Sequence, residues 1–247
     1  MSVLIENAVF NIPAAIQAQS GGADRIELCD NPAEGGTTPS AGVIDAVRRK
    51  LNIDVFVMIR PRGGDFLYSD DEYAVMKSDI MTCKRMGIDG VVFGILNSEG
   101  RIDVERCKEL VLLARPMSVT LHRAFDLTPD PEAALFDAIA SGFDRILTSG
   151  RATSAEKGTD LLKKLVTLSG GSVKIMAGVG INAGNVRRIV DETGVDEIHF
   201  SARTWQESEV PKHNTAISLL ETLPSDSGIY VADPEKIRAV RAALSDK

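Results

Sequence analysis

One short phrase occurs four times in this chain: a glycine, an apolar residue, an aspartate, then a run of strand-forming residues. The copies are GADRIEL at Gly22–Leu28, GIDGVVF at Gly87–Phe93, GFDRILT at Gly142–Thr148 and GVDEIHF at Gly194–Phe200. They begin 65, 55 and 52 residues apart, too far for one strand–helix unit and suited to two. The glycine is predicted to end a helix in the left-handed conformation, the aspartate to form a turn, and the apolar run to be a buried parallel strand. Four such strands, alternating with four others, make the eight of a single (β/α)8 TIM barrel, an α/β fold. The chain of 247 residues has the length of one such barrel.

Side chains alternate across a strand, so the phrase also predicts facing. Ile26, Leu28, Val91, Phe93, Ile146, Thr148, Ile198 and Phe200 share the helix-facing side. The inward side takes Glu27, Cys29, Val92, Gly94, Leu147, Ser149, His199 and Ser201. Polar residues thus gather near the strand ends, the catalytic rim of barrel enzymes. The remaining strands are predicted at Val3–Glu6, Asp54–Arg60, Ser118–His122 and Lys174–Gly178. Ser40 is expected to cap the second helix, and Ser69 with Glu72 to form a capping box on the third. Residues 203–233, polar and holding Trp205, resist assignment. They read as a solvated excursion before the closing helix, or as a lid over the rim. Residues 1–247 form one domain, since no linker divides them.

Charge and cysteine usage narrow the function. A net charge of −7 argues against nucleic acid and anionic membrane as partners. The amino terminus has Glu6 where a signal peptide would be apolar, no run is long enough to span a membrane, and a cytoplasmic protein is the expectation. Three cysteines without a C-x-x-C give no disulfide or zinc framework. Cys83 and Cys107 fall on helix faces; only Cys29 lies at the rim. The acidic helix surfaces single out no partner face, and a homo-oligomer is the default expectation.

The rim residues suggest what is bound. Arg60 and Arg62 end the third strand on one parity, and a guanidinium is a rigid fork for carboxylate or phosphate. The alternative is an ion-pair layer, with Arg60 against Glu6 or Glu27. The loop Gly178–Asn182 with Ser201 and Ala202 occupies the usual barrel phosphate site, so Gly178, Gly180 and Ser201 join Arg60, Arg62, Asp65, Arg123 and Ser149 as substrate-binding candidates. His122, Glu27 and Glu6 are the acid–base candidates. Together they fit isomerase, epimerase, lyase or hydrolase chemistry on a small carboxylated or phosphorylated molecule. A divalent zinc, iron or manganese ion on Glu6, Glu27, His122 and His199 is chemically possible, although the arginines would oppose its charge.

ADRIELC at Ala23–Cys29, EGGTTPS at Glu34–Ser40, IRPRGGDFLYS at Ile59–Ser69, HRAFD at His122–Asp126, LTSG at Leu147–Gly150 and HFSAR at His199–Arg203 resemble the CutC family, in order from the first strand to Arg203. The resemblance implies a TIM barrel, a cytoplasmic location and a role in copper homeostasis, with copper(I) as the ion and Cys29 as its ligand. Family members proposed to bind copper carry another cysteine shortly after the first-strand glutamate. In this chain Ala8 stands about there.

Overall fold

The computed structural model describes residues 3–210 and 227–245. Eight parallel strands close in sequence order: β1 Leu4–Val9, β2 Arg25–Leu28, β3 Asp54–Met58, β4 Gly90–Phe93, β5 Ser118–Leu121, β6 Arg145–Thr148, β7 Lys174–Gly178 and β8 Glu197–Phe200. β1 seals the barrel by pairing Leu4–Asn7 with Glu197–Phe200 of β8. Helices α1 (Ile12–Ser20), α2 (Ala41–Arg48), α3 (Asp70–Arg85), α4 (Val104–Ala114), α5 (Pro131–Ser141), α6 (Thr159–Ser169), α7 (Val186–Thr193) and α8 (Pro234–Ser245) follow the strands.

The repeated phrase does more than turn the chain. Its glycines hold left-handed backbone as expected, with φ of 91° at Gly22, 68° at Gly87, 87° at Gly142 and 73° at Gly194. Three of its aspartates also clamp the preceding strand. Asp24 accepts the N–H of Ile5 (2.9 Å), Asp89 that of Val55 (2.8 Å) and Asp144 that of Val119 (2.7 Å). Arg241, Arg48 and Arg115 pair with these same carboxylates. The aspartate therefore staples even strands to odd ones at the base of the barrel.

All eight helix-facing residues of the phrase are buried. They belong to the main apolar layer with Met76, Ile80, Leu110, Leu135 and Ile189, except for Thr148, which donates its hydroxyl to Asp126 at 2.5 Å. Cys83 and Cys107 lie buried in that layer on α3 and α4. The caps form as expected: Ser40 accepts from Val43 N–H, and Ser69 and Glu72 make the reciprocal capping box. No helix among the described residues is long and apolar enough to cross a membrane.

The excursion after β8 begins as a ribbon. β9 (Arg203–Glu207) pairs antiparallel with β10 (Gly228–Ala232), and Trp205 meets Tyr230 edge-on at 5.1 Å. The centre of the predicted excursion, residues 211–226, lies outside the described residues.

Candidate functional site

Inside the barrel, side chains stack in tiers contributed by alternate strands. The lowest tier holds the residue that follows each repeated aspartate: Arg25, Gly90, Arg145 and Glu197. Above it come Glu6, Phe56, Thr120 and Met176, which the strand registers set beside the first four. Arg25 pairs with Glu6 at 2.5 Å and with Glu197, and Arg145 pairs with Glu197 at 3.0 Å. Both guanidiniums lie against the Phe56 ring, 4.5 and 4.9 Å from its centroid. Gly90 leaves room for that ring, since a Cβ there would lie 2.5 Å from it. Ionic and cation–π contacts thus close the floor. The expected ion-pair layer exists, but Arg25 and Arg145 build it, not Arg60.

A cavity of about 870 Å³ opens above this floor. The next tier up supplies Glu27 and His199. Glu6, counted as an acid–base candidate, belongs to the floor: it is fully buried and does not line the cavity. Burial pushes its carboxyl up, but Arg25 and the His199 hydrogen bond outweigh that and bring it to about 2. Its Oε1 accepts from His199 Nδ1 at 2.7 Å, which turns the imidazole so that Nε2 lies 3.8 Å from Glu27 Oε2. Burial lowers the His199 pKa, whereas Glu6 and Glu27 raise it, and the raising effect prevails. For Glu27 burial dominates over the attraction of His199, and its pKa rises to about 7. Glu27 Oε1 is buried without a hydrogen-bond partner.

His122 sits at the end of β5, 4% exposed. Its Nδ1 accepts the Ala124 N–H at 3.2 Å, its ring tilts against Phe66 at 4.6 Å, and its Nε2 has no partner. Burial, reinforced by the Arg60 charge, lowers its pKa to about 3, so the ring is neutral. Arg60 also lines the cavity. Its guanidinium donates to the carbonyls of Glu34 (2.6 Å), Gly36 (2.8 Å) and Gly64 (2.8 Å), knitting the loops after β2 and β3. Among the described residues, no ion pair joins it to a carboxylate.

Several predicted ligands lie elsewhere. Arg62 does not share the facing of Arg60, because β3 ends at Met58 and Pro61 redirects the chain. It turns to α3 and the loop, pairing with Glu72 and Asp65. Ser149 shares its hydroxyl proton between the Ala152 carbonyl at 2.7 Å and Asp126 at 3.1 Å, and does not line the cavity. Gly178 lies beneath Leu147, whose tip would be 2.6 Å from an added Cβ. Arg123, Gly180 and Ser201 do line the cavity, although Arg123 directs its guanidinium to Asp126 at 2.9 Å. Around the β7 and β8 ends, Val179 (φ 76°) and Ala202 (φ 46°) hold backbone that L side chains rarely adopt; such strain collects at ligand sites. Arg203 and Lys236 also line the cavity, and neither was singled out for it from the sequence.

The donor set does not suit the metals considered above. Copper(I) favours paired thiolates or thioethers. The Cys29 thiol is instead held protonated, its pKa raised by burial and then by Glu27. Cys83 and Cys107 are buried behind the strands. Among the described residues, no cluster of three or more His, Cys, Asp or Glu could hold a metal ion. Glu6, Glu27, His122 and His199 form no such set, since Glu6 is taken by Arg25 and the His122 Nδ1 by Ala124.

Comparison with known proteins gives a consistent relationship. The CutC family model matches residues 3–204. The human copper homeostasis protein cutC homolog is 46% identical over 240 residues, covering 97% of this chain and 88% of that protein. A CutC family protein of Chromobacterium violaceum is 42% identical and covers 99% of each chain. The solved CutC structure from Streptococcus agalactiae is 36% identical, with a TM-score of 0.77 over 81% of this chain and 98% of that one.

Proposed function

The chain belongs to the CutC family, and from that premise we propose that it serves copper homeostasis indirectly, by binding a small phosphorylated or carboxylated molecule in the barrel mouth and moving a proton on it. The charge of the mouth carries this reading. In a protein of net charge −7, the cavity is lined, among the described residues, by Arg60, Arg123, Arg203 and Lys236 against two carboxyl groups, Glu27 and Glu34. A mouth of opposite sign to the whole protein concentrates anions. Glu27, poised near neutrality, supplies the acid–base group. Three unpaired cysteines suit a reducing cytoplasm.

The test is a thermal-shift screen of phosphate esters and carboxylates. A ligand at about a hundredfold its Kd stabilises by about 2.7 kcal/mol, or roughly 5–10 °C for a chain of this size. Arg60→Ala is expected to remove that shift, and Arg60→Lys to restore little of it, because an ammonium cannot span three carbonyls. Absence of any stabilising anion for the parent protein would refute the reading.

A carrier role for copper(I) makes the opposite forecast. Because Cys29 is a lone buried thiol, the protein is expected to leave copper(I) with a chromogenic chelator. Stoichiometric transfer that disappears in Cys29→Ser would reinstate direct copper binding.

A further inference from the structure

Three residues that line the same cavity each carry an unpartnered buried polar atom. A folded protein satisfies nearly all its buried polar groups, so such a cluster of exceptions at one site points to a missing partner. The first is His122 Nε2 and the second Glu27 Oε1, on residues that are each 4% exposed; the third is Arg60 Nε, on a guanidinium otherwise engaged by carbonyls. Hydrogen bonding fixes what the first one offers. His122 Nδ1 is an acceptor towards Ala124 N–H, so the proton of the neutral ring sits on Nε2. His122 therefore presents an N–H and has no free lone pair with which to act as a base. Phe66 and Gly94 hold the ring there; a Cβ on Gly94 would lie 2.8 Å from Nδ1. The second group can accept a proton. β2 and β5 stand three places apart around the barrel, which leaves room for a substrate between donor and acceptor.

We propose that the substrate is a phosphate ester of a small hydroxy-carbonyl compound, and that Glu27 and His122 divide its enolisation between them. This rests on the anion-pocket reading above. Ionised Glu27 takes the proton from the carbon next to the carbonyl. The C–H electron pair becomes the C=C bond, and the carbonyl π pair moves onto oxygen, where His122 Nε2–H donates to the new negative charge. Glu27 then returns the proton to the neighbouring carbon while the hydroxyl hydrogen passes between the two oxygens, which gives the isomer. Return to the original carbon gives back the starting compound. No oxidant or co-reactant enters. A neutral imidazole suits its part, since it stabilises an enolate without protonating it fully. Arg203 and Lys236 take the phosphate beside Gly180 and Ser201 of the β7 and β8 loops, while Arg60, across the barrel after β3, adds positive charge on the His122 side of the cavity.

Titration calorimetry with two probes tests this. Phosphoglycolohydroxamate is a planar mimic of an enediolate ester, and glycerol 3-phosphate is its saturated counterpart. The parent protein should bind the hydroxamate at least about a hundredfold more tightly, as transition-state mimics are bound. His122→Asn keeps an acceptor for Ala124 N–H and withdraws the donor from the Nε2 position, because the shorter amide NH2 does not reach it; it should reduce that preference to a few-fold while glycerol 3-phosphate still binds. In D2O the parent should exchange the carbon-bound hydrogens of dihydroxyacetone phosphate, and Glu27→Gln should not. Equal binding of the two probes by the parent would overturn the enolisation and leave the anion pocket standing, even if the His122 variant does not fold. Failure of both probes to bind would overturn the pocket as well.

Discussion

Arg25→Met should destabilise the protein by about 3–5 kcal/mol, the range for breaking a buried ion pair by removing one partner. For a chain of this length that is a fall of roughly 10 °C in Tm. The side chain bridges Glu6 and Glu197 and covers one side of Phe56. Methionine restores much of the volume and none of the charge, so Glu6 is left with His199 alone. Arg25→Met/Glu6→Gln should recover part of the loss, because the damage comes from the stranded carboxylate. Acid should show the same coupling. Glu6 is depressed to about 2 and Glu197 is also lowered, by Arg25 and Arg145 against the effect of burial. Their contribution is complete above the unfolded carboxylate range near 4.5 and lost as pH falls towards 2. In Arg25→Met the loss of stability on acidification should be shallower, because a Glu6 that protonates more readily in the folded state takes up less additional proton on unfolding. Urea unfolding from about pH 2 to about pH 7 measures both effects, and a variant as stable as the parent would contradict the account of the floor.

Glu27→Gln should act in the opposite direction. A carboxyl raised from 4.5 to about 7 by burial prefers its proton in the folded state. Between pH 4.5 and 7 the unfolded chain releases that proton first, so the parent loses stability as pH rises and levels off above 7. Glutamine has no such penalty. The variant should match the parent at pH below the ordinary carboxylate range and exceed it above neutrality by about 1–3 kcal/mol, since a tenfold change in proton affinity is worth about 1.4 kcal/mol. A residue that weakens the fold while lining the cavity is what a stability–activity trade-off predicts. Paired pH–Tm profiles decide the matter. Parallel curves would show that Glu27 titrates alike in the folded and unfolded chain, with burial offset by a partner.

The barrel was legible because its signals are local. The glycine, the aspartate and the outward apolar pair repeat four times, and the strands at β2, β4, β6 and β8 follow from them. The strand expected at Lys174–Gly178 coincides with β7, and the other expected strands agree with theirs to within a few positions. The staple role of the aspartate was not legible, because its partners Ile5, Val55 and Val119 come from earlier strands and are fixed only by barrel closure. The floor was half visible. The position after each aspartate reads Arg, Gly, Arg, Glu, with the inward parity already assigned to Glu27 and His199. Applying that parity one step earlier in the strand would have found Arg25, Arg145 and Glu197. Arg60 and Arg62 failed as a pair because strand alternation stops where the strand does. His199 reads from the sequence either as a metal ligand or as a mid-barrel histidine that satisfies a hydrogen bond; that the bond goes to Glu6 depends on β1 lying beside β8. Lys236 reaches the mouth from the last helix, beyond any strand-end rule.

The floor also constrains how the molecule can be made. Its charges are far apart in the chain: Glu6 and Arg25 leave the ribosome some 170 residues before Glu197. Until then a nascent amino-terminal half has no counter-ion for Arg25 beyond Glu6 and no eighth strand against which to close. Half-barrels of this sequence are thus poor stopping points, and completion of the interior waits for the eighth strand. A circular permutation that opened the chain between β8 and β1 would leave this timing unchanged, whereas one opening it between β4 and β5 would bring Arg25 and Glu197 out close together.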